Sequence, residues 1–298
     1  MGILAGGALS NCAAATAVGD THLRTFSGLF YDFQAAGDFV LAKSDPDFVV
    51  QTRQVSAAPT WQNASLNSAV ATRMGKTMLA LCMAPRGNIT ARLVIDGKTT
   101  NLGDGKSLEL PSGVWVSRRG NVYVITDQEG NSVRAVVNTN TGNANNWIDV
   151  DVGLGHWPAK VSGLLANPNG NVNALEVRDG TVLAMPVSFE DLYGRYGDSW
   201  RVPSNESLLL ACGGKKVERS NPKKAFYAVN LDSKKYKRAR AICTQAGVKE
   251  GPLLEACMLD VTVLNNKAAA KVFARSLAPV LAVMSPPKHI RGKSFPLQ

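Results

Sequence analysis

The 298-residue chain lacks any stretch near the roughly 18 uninterrupted apolar residues of a membrane-spanning helix; Leu277 to Met284 comes nearest and contains Pro279. A helical span is therefore excluded. Histidine is nearly absent: His22, His156 and His289 are the only three, none beside a local nucleophile and none with a second histidine at i+4. For His22 the expected role is a hydrogen bond within its own turn. There is no GxSxG elbow and no HExxH helix, so no hydrolase or zinc-protease signature can be read, and no catalytic residues are assigned. The five cysteines, Cys12, Cys82, Cys212, Cys243 and Cys257, form no CxxC pair and no Cys/His cluster, which argues against zinc. Gly103-Asp104-Gly105-Lys106-Ser107 ends like a phosphate loop, but Thr100 stands where its first glycine belongs. It reads as a hairpin turn. Asp149 and Asp151 share one face of a strand, as acid chemistry would want, yet a solvated strand face is their expected setting.

What is present describes a globular protein: 45% hydrophobic and 19% charged residues suit one large or two ordinary domains. The net charge of +10 is concentrated, because residues 215 to 240 hold ten basic side chains against Glu218 and Asp232. Such a segment can dock on acidic glycans, anionic lipid or nucleic acid, with Lys234, Lys235, Lys237 and Arg238 as its densest part. A solvated helix face is the commoner outcome, and the few aromatics there, Phe226, Tyr227 and Tyr236, do not make a base-stacking surface. No specific nucleic-acid partner is expected.

From Asp38 to Val152 the pattern is one of short strands: 38–42, 48–54, 69–74, 77–83, 89–95, 107–110, 114–118, 122–126, 133–137 and 147–152. Asp96-Gly97, Gly120-Asn121 and Glu129-Gly130 fall between apolar alternations, where left-handed residues let a hairpin follow the sheet twist. A mainly β fold, a two-sheet antiparallel β-sandwich, is the predicted product. Asn138 to Asn146 reads as a polar connector. Beyond Pro203 the text changes. Residues 234–246, 253–264 and 267–284 carry apolar spacings of three and four and predict a C-terminal α-helical extension. Cys243 and Cys257 lie across the turn of a helical hairpin, where a disulfide would add roughly 3 kcal/mol in the chain-entropy model. Cysteine spacing alone slightly favours five reduced core residues over two disulfides and a spare thiol.

The opening, Gly19-Asp20-Thr21-His22, Thr25-Phe26-Ser27-Gly28 and Tyr31-Asp32-Phe33, resembles the GDPHxxTFDGxxYxF start of the von Willebrand factor type D domain. Gly163-Leu164-Leu165-Ala166-Asn167-Pro168-Asn169-Gly170-Asn171-Val172-Asn173 is similar to the family's GLCGNxNGxxxDD loop, and Tyr196-Gly197-Asp198-Ser199-Trp200 to its closing segment. The likeness spans 12–202. The segment from Ala241 to Val261 resembles part of the cysteine-rich helical module that often follows. The implied organisation is a leader or tail at 1–11, a type D sandwich at 12–202, a helical module at 203–285 and a tail at 286–298.

The resemblance implies export, and with it disulfides in place of free thiols. Leu165 replaces the cysteine to which the family's first cysteine bonds, so Cys12 is left free, pairs with another residue such as Cys82, or bonds between chains. The family often binds Ca²⁺; here the matching ligands would be Asn167, Asn169 and Asn173, but Ser27 and Ala174-Leu175 stand where the carboxylates belong, so affinity is expected to be weak. Thr21 replaces the proline of the self-cleaving Asp-Pro bond, and no cleavage is expected there. The resemblance thus points to an exported, non-enzymatic structural, adhesion or assembly module that pairs with itself or with other extracellular proteins. The alternatives are a secreted ligand binder or enzyme, as in luciferases with type D domains, and a polyanion binder acting through residues 215–240.

Overall fold

The computed structural model describes residues 12–83, 91–139, 146–213 and 217–275. Sixteen strands are found among them: β1 Ala13–Val18, β2 His22–Arg24, β3 Phe30–Asp32, β4 Gly37–Ser44, β5 Phe48–Ala57, β6 Trp61–Met74, β7 Thr77–Cys82, β8 Arg92–Ile95, β9 Lys98–Thr100, β10 Ser107–Glu109, β11 Trp115–Arg119, β12 Val122–Thr126, β13 Ser132–Asn138, β14 Trp147–Leu154, β15 Ala174–Glu176 and β16 Val182–Ala184. Three helices follow: α1 Ser233–Gln245, α2 Pro252–Val263 and α3 Ala270–Arg275. The fold is mainly β, with two large antiparallel sheets. One runs β10-β11-β12-β13-β14-β1-β2-β3 and the other β4 to β9 in sequence order.

Hairpins explain the second sheet and most of the first. Asp96 and Gly97 both take positive φ between β8 and β9, as a two-residue turn with the sheet's own twist requires. The departure from hairpin order is β1, which lies between β14 and β2. Its sequence, AAATAV, is a poor strand former by propensity, but every residue in it is buried. Small side chains at the centre of a sheet let layers on both faces approach, and that packing outweighs intrinsic preference.

The main core lies between the sheets and includes Phe33, Phe39, Leu41, Val50, Leu81, Ile148, Val150 and Val152. The three resembling segments meet at its edge. Tyr31 Oη donates to the Leu164 carbonyl at 2.5 Å, Tyr196 Oη donates to the same oxygen at 3.2 Å, and Phe26 N–H donates to Leu165 O at 3.0 Å.

The helices begin at Ser233, later than the predicted change at Pro203. Residues 203–213 and 217–232 lie largely against the strands: Leu209 is buried on the outer face of β6 and β7, and Ala36 bridges to Ser220. Cys212 bonds to Cys82 at the end of β7, with Cα atoms 5.4 Å apart. The pairing of Cys12 with Cys82 is thereby ruled out; Cys12 is a free, exposed thiol donating to the Gly155 carbonyl at 3.0 Å. Cys243 of α1 and Cys257 of α2 form the second disulfide. Two disulfides fit an oxidising compartment. Among the described residues no helix is long and apolar enough to cross a membrane.

The helices pack on the sandwich through a second core, in which Cys257, Met258, Leu259 and Phe273 meet Val18, Leu66 and Trp147. Most of the expected Asn138–Asn146 connector and the end of the predicted third helix lie outside the described residues.

Candidate functional site

β1 and β2 are joined by the three-residue turn Gly19-Asp20-Thr21, with Val18 opposite His22. Gly19 and Thr21 both take positive φ, at 61° and 66°. For a β-branched residue this is strained by about 1–3 kcal/mol and persists only where the surroundings fix it. They do: Thr21 Oγ1 donates to Ser65 O at 2.9 Å, and its carbonyl accepts Phe33 N–H at 3.0 Å. The turn points Asp20 and His22 beneath α2, where Asp260 descends from an otherwise apolar helix face.

Asp20, His22 and Asp260 are at most 1% exposed. His22 Nδ1 lies 2.6 Å from Asp32 Oδ1, its register partner on β3. His22 Nε2 touches Asp20 Oδ1 and sits 3.6 Å from Asp260 Oδ1. Asp260 Oδ1 also accepts the Asp20 N–H at 2.6 Å, while Asp149 Oδ1 accepts the Gly19 N–H at 2.9 Å and the Trp147 Nε1–H at 3.0 Å. The His22 ring stacks on Phe30 and meets the edge of Phe273. Gly19 is required here, because a Cβ at that position would fall inside the Asp260 carboxylate, 1.7 Å from Oδ2.

Burial dominates the electrostatics. It would lower the His22 pKa, but the charges of Asp20 and Asp32 outweigh it and raise the imidazole well above its ordinary value. Asp260 is pushed up to about 7, first by burial and then by the charge of Asp20, with His22 opposing. Asp149 is also pushed up to about 7 by burial, against the N–H of Gly19. Among the described residues the cluster is sealed from solvent.

His22 does bond within its opening turn, as expected, but it also reaches an element 238 residues further on that sequence reading missed. The available signal was Asp260 itself, a lone acid in the apolar run Ala256-Cys257-Met258-Leu259-Asp260-Val261. Asp149 and Asp151 were expected on a solvated face and are not: they are 3% and 8% exposed. β14 has Ile148, Val150 and Val152 in the main core on one face and Trp147 in the helix-side core on the other, and Asp151 pairs with Arg134 at 2.6 Å.

The Asn167 loop is a different place. Asn167 and Asn169 line an open cleft of about 1070 Å³ together with Ser27, Asp45, Trp157 and Glu176. Asn167 Nδ2 donates to Ala174 O at 2.8 Å, while Asn167 Oδ1 and Ser27 Oγ are buried without a hydrogen-bond partner. Asn173 is exposed and does not line the cleft; its N–H donates to Asn171 Oδ1. Lys234, Lys235, Lys237 and Arg238 are exposed on α1. Lys235 pairs with Asp232 at 3.1 Å and lies over the Trp61 ring.

No protein-family model matches the chain, and no curated protein matches it.

Proposed function

We propose that this protein is an exported structural or assembly module of the type D kind, in which a disulfide-closed helical unit is fastened to a β-sandwich. The observation that carries this reading is the cluster of Asp20, His22 and Asp260. These three ionisable groups are sealed from solvent and join two packed units, α2 and the β1–β2 turn, rather than opening to a substrate. The three segments resembling the type D domain lie against one another around Leu164, which supports the family reading. The odd cysteine supports assembly, because four of the five are consumed in disulfides and Cys12 remains exposed.

Light scattering and non-reducing electrophoresis of protein secreted through an oxidising compartment test the assembly. A Cys12-dependent dimer, lost in Cys12→Ser and on mild reduction, is the expected result. A monomer at every concentration and pH would remove the assembly part of the proposal.

A second reading, a polyanion binder, rests on one observation: Lys234, Lys237 and Arg238 are exposed on one helix with no ion-pair partner among the described residues. Salt-sensitive retention on heparin, abolished when Lys234, Lys235 and Lys237 are changed to Glu, would favour it.

A further inference from the structure

We propose that Asp20, His22 and Asp260 form a structural binding site for a divalent transition-metal cation of the zinc class, which clamps α2 to the β1–β2 turn. One potential ligand atom from each residue lies within 4.8 Å of the others, and all three residues are buried. The inference rests on what these atoms lack. Asp20 Oδ2 and Asp260 Oδ2 have no hydrogen-bond partner although each is shut off from water, and His22 Nε2 meets only the Oδ1 atoms of the same two carboxylates. A single orphaned buried oxygen costs about 1–3 kcal/mol, and two such carboxylate oxygens beside one imidazole call for a shared partner.

Charge points the same way. Asp20 and Asp260 meet one shared cationic partner, His22, whose other nitrogen is already held by Asp32. With both carboxylates ionised, even a doubly protonated imidazole leaves Asp20, His22 and Asp260 net negative, whereas a dication balances Asp20 and Asp260 and lets His22 remain neutral. The Asp32 contact fixes the tautomer such a site needs. With Nδ1–H donated to Asp32 Oδ1 at 2.6 Å, loss of the Nε2 proton to an incoming metal would leave a lone pair directed at it, the carboxylate–histidine–metal arrangement. One imidazole and two carboxylates suit zinc or a neighbouring first-row metal better than calcium, which prefers oxygen alone. Tetrahedral ligands at about 2.1 Å from a metal stand about 3.4 Å from one another. The separation of 3.6 Å between His22 Nε2 and Asp260 Oδ1 is already close to that, while His22 Nε2 and Asp20 Oδ1 touch and must part to admit the ion. Gly19 leaves the space beside Asp260 that any larger residue would fill.

The test uses the full chain with both disulfides intact, stripped with chelator and titrated with ZnCl₂ by calorimetry, with Co²⁺ as a spectroscopic substitute. One zinc per chain, a rise in melting temperature of several degrees and a visible Co²⁺ ligand-field band are expected. Asp260→Asn keeps the acceptor for the Asp20 N–H but removes the charge, and it should abolish both the zinc heat and the Co²⁺ band. Asp32→Asn, which touches no metal, should weaken zinc by about 10- to 100-fold, as a positioning residue does. If Asp260→Asn does not fold, His22→Gln replaces it under the same readouts. The proposal is overturned if the folded wild-type chain takes up no zinc at millimolar concentration, if a folded Asp260→Asn or His22→Gln chain binds zinc as tightly, or if nitrogen NMR shows both His22 nitrogens still protonated at saturating zinc.

Discussion

The opening turn and the Asn167 loop both bury oxygen atoms that lack a hydrogen-bond partner, and they differ in charge. Around Gly19 to His22 the orphaned atoms belong to Asp20 and Asp260, with His22, Asp149 and Asp32 close by. At the loop they are the amide oxygen of Asn167 and the hydroxyl of Ser27, beside an open cleft. The first arrangement demands a counter-charge and the second accepts a water. Burial without charge is cheap to satisfy; burial with charge ties distant parts of the chain to one solution, which is why α2 is held at the β1–β2 turn.

The largest effect expected from this contrast is on pH. Asp149 has a folded pKa of about 7, above its ordinary value, so the folded state binds an extra proton in the window between the two. Stability therefore falls as pH rises through that window and is greatest at its acid end. A shift of about three units corresponds to about 4 kcal/mol. In Asp149→Asn, where the amide oxygen can still accept the Gly19 N–H, that part of the fall should vanish. Urea unfolding at pH 4 and pH 8, in the presence of chelator, measures the difference between the two chains. Parallel stability curves would show that Asp149 is ionised throughout and that its three N–H donors outweigh its burial.

Glycine substitutions sharpen the comparison at somewhat smaller cost. Gly19 and Gly170 both take positive φ, at 61° and 74°. In Gly19→Ala the new methyl displaces the Asp260 carboxylate, and a loss of about 3 kcal/mol is expected from the overlap together with the backbone strain. In Gly170→Ala the nearest atom is Ser27 Oγ at 3.7 Å, so only the left-handed backbone penalty remains, about 1 kcal/mol. Equal losses in thermal unfolding would mean that the packing of Asp260 against Gly19 contributes nothing.

The same contrast governs what could be read from the sequence. Most of the hairpin strands from β4 to β14 were legible because alternation and turn residues are local, with β9 and the first half of β6 missed; Val122–Thr126 matches its predicted span residue for residue. β1 was not, because an alanine-rich strand is stabilised by layers contributed from far along the chain. The Cys243–Cys257 bond spans 14 residues and could be read from helix geometry, whereas Cys82–Cys212 spans 130 and could not. The loop's asparagines carried a family pattern. The cluster carried one only in part: Asp20 and His22 lie in the opening pattern, but Asp260 lies 240 residues from Asp20, and only its isolation among apolar neighbours marked it.

The smallest effect is expected at the loop. With two neutral oxygens as its orphaned atoms, wild-type protein stripped with chelator should bind Ca²⁺ with a dissociation constant no tighter than about millimolar, the range of weak extracellular sites. Ser27→Asp places a carboxylate where Ser27 Oγ now faces Gly170 and Asn167, and it should tighten Ca²⁺ by about tenfold in isothermal titration, the amount that about 1.4 kcal/mol of added attraction gives. The contrast with zinc is then direct: Ca²⁺ should respond to Ser27→Asp and not to Asp260→Asn, and zinc the reverse. Micromolar Ca²⁺ binding by the wild type would break the comparison, because charge count would then not be what separates the two places.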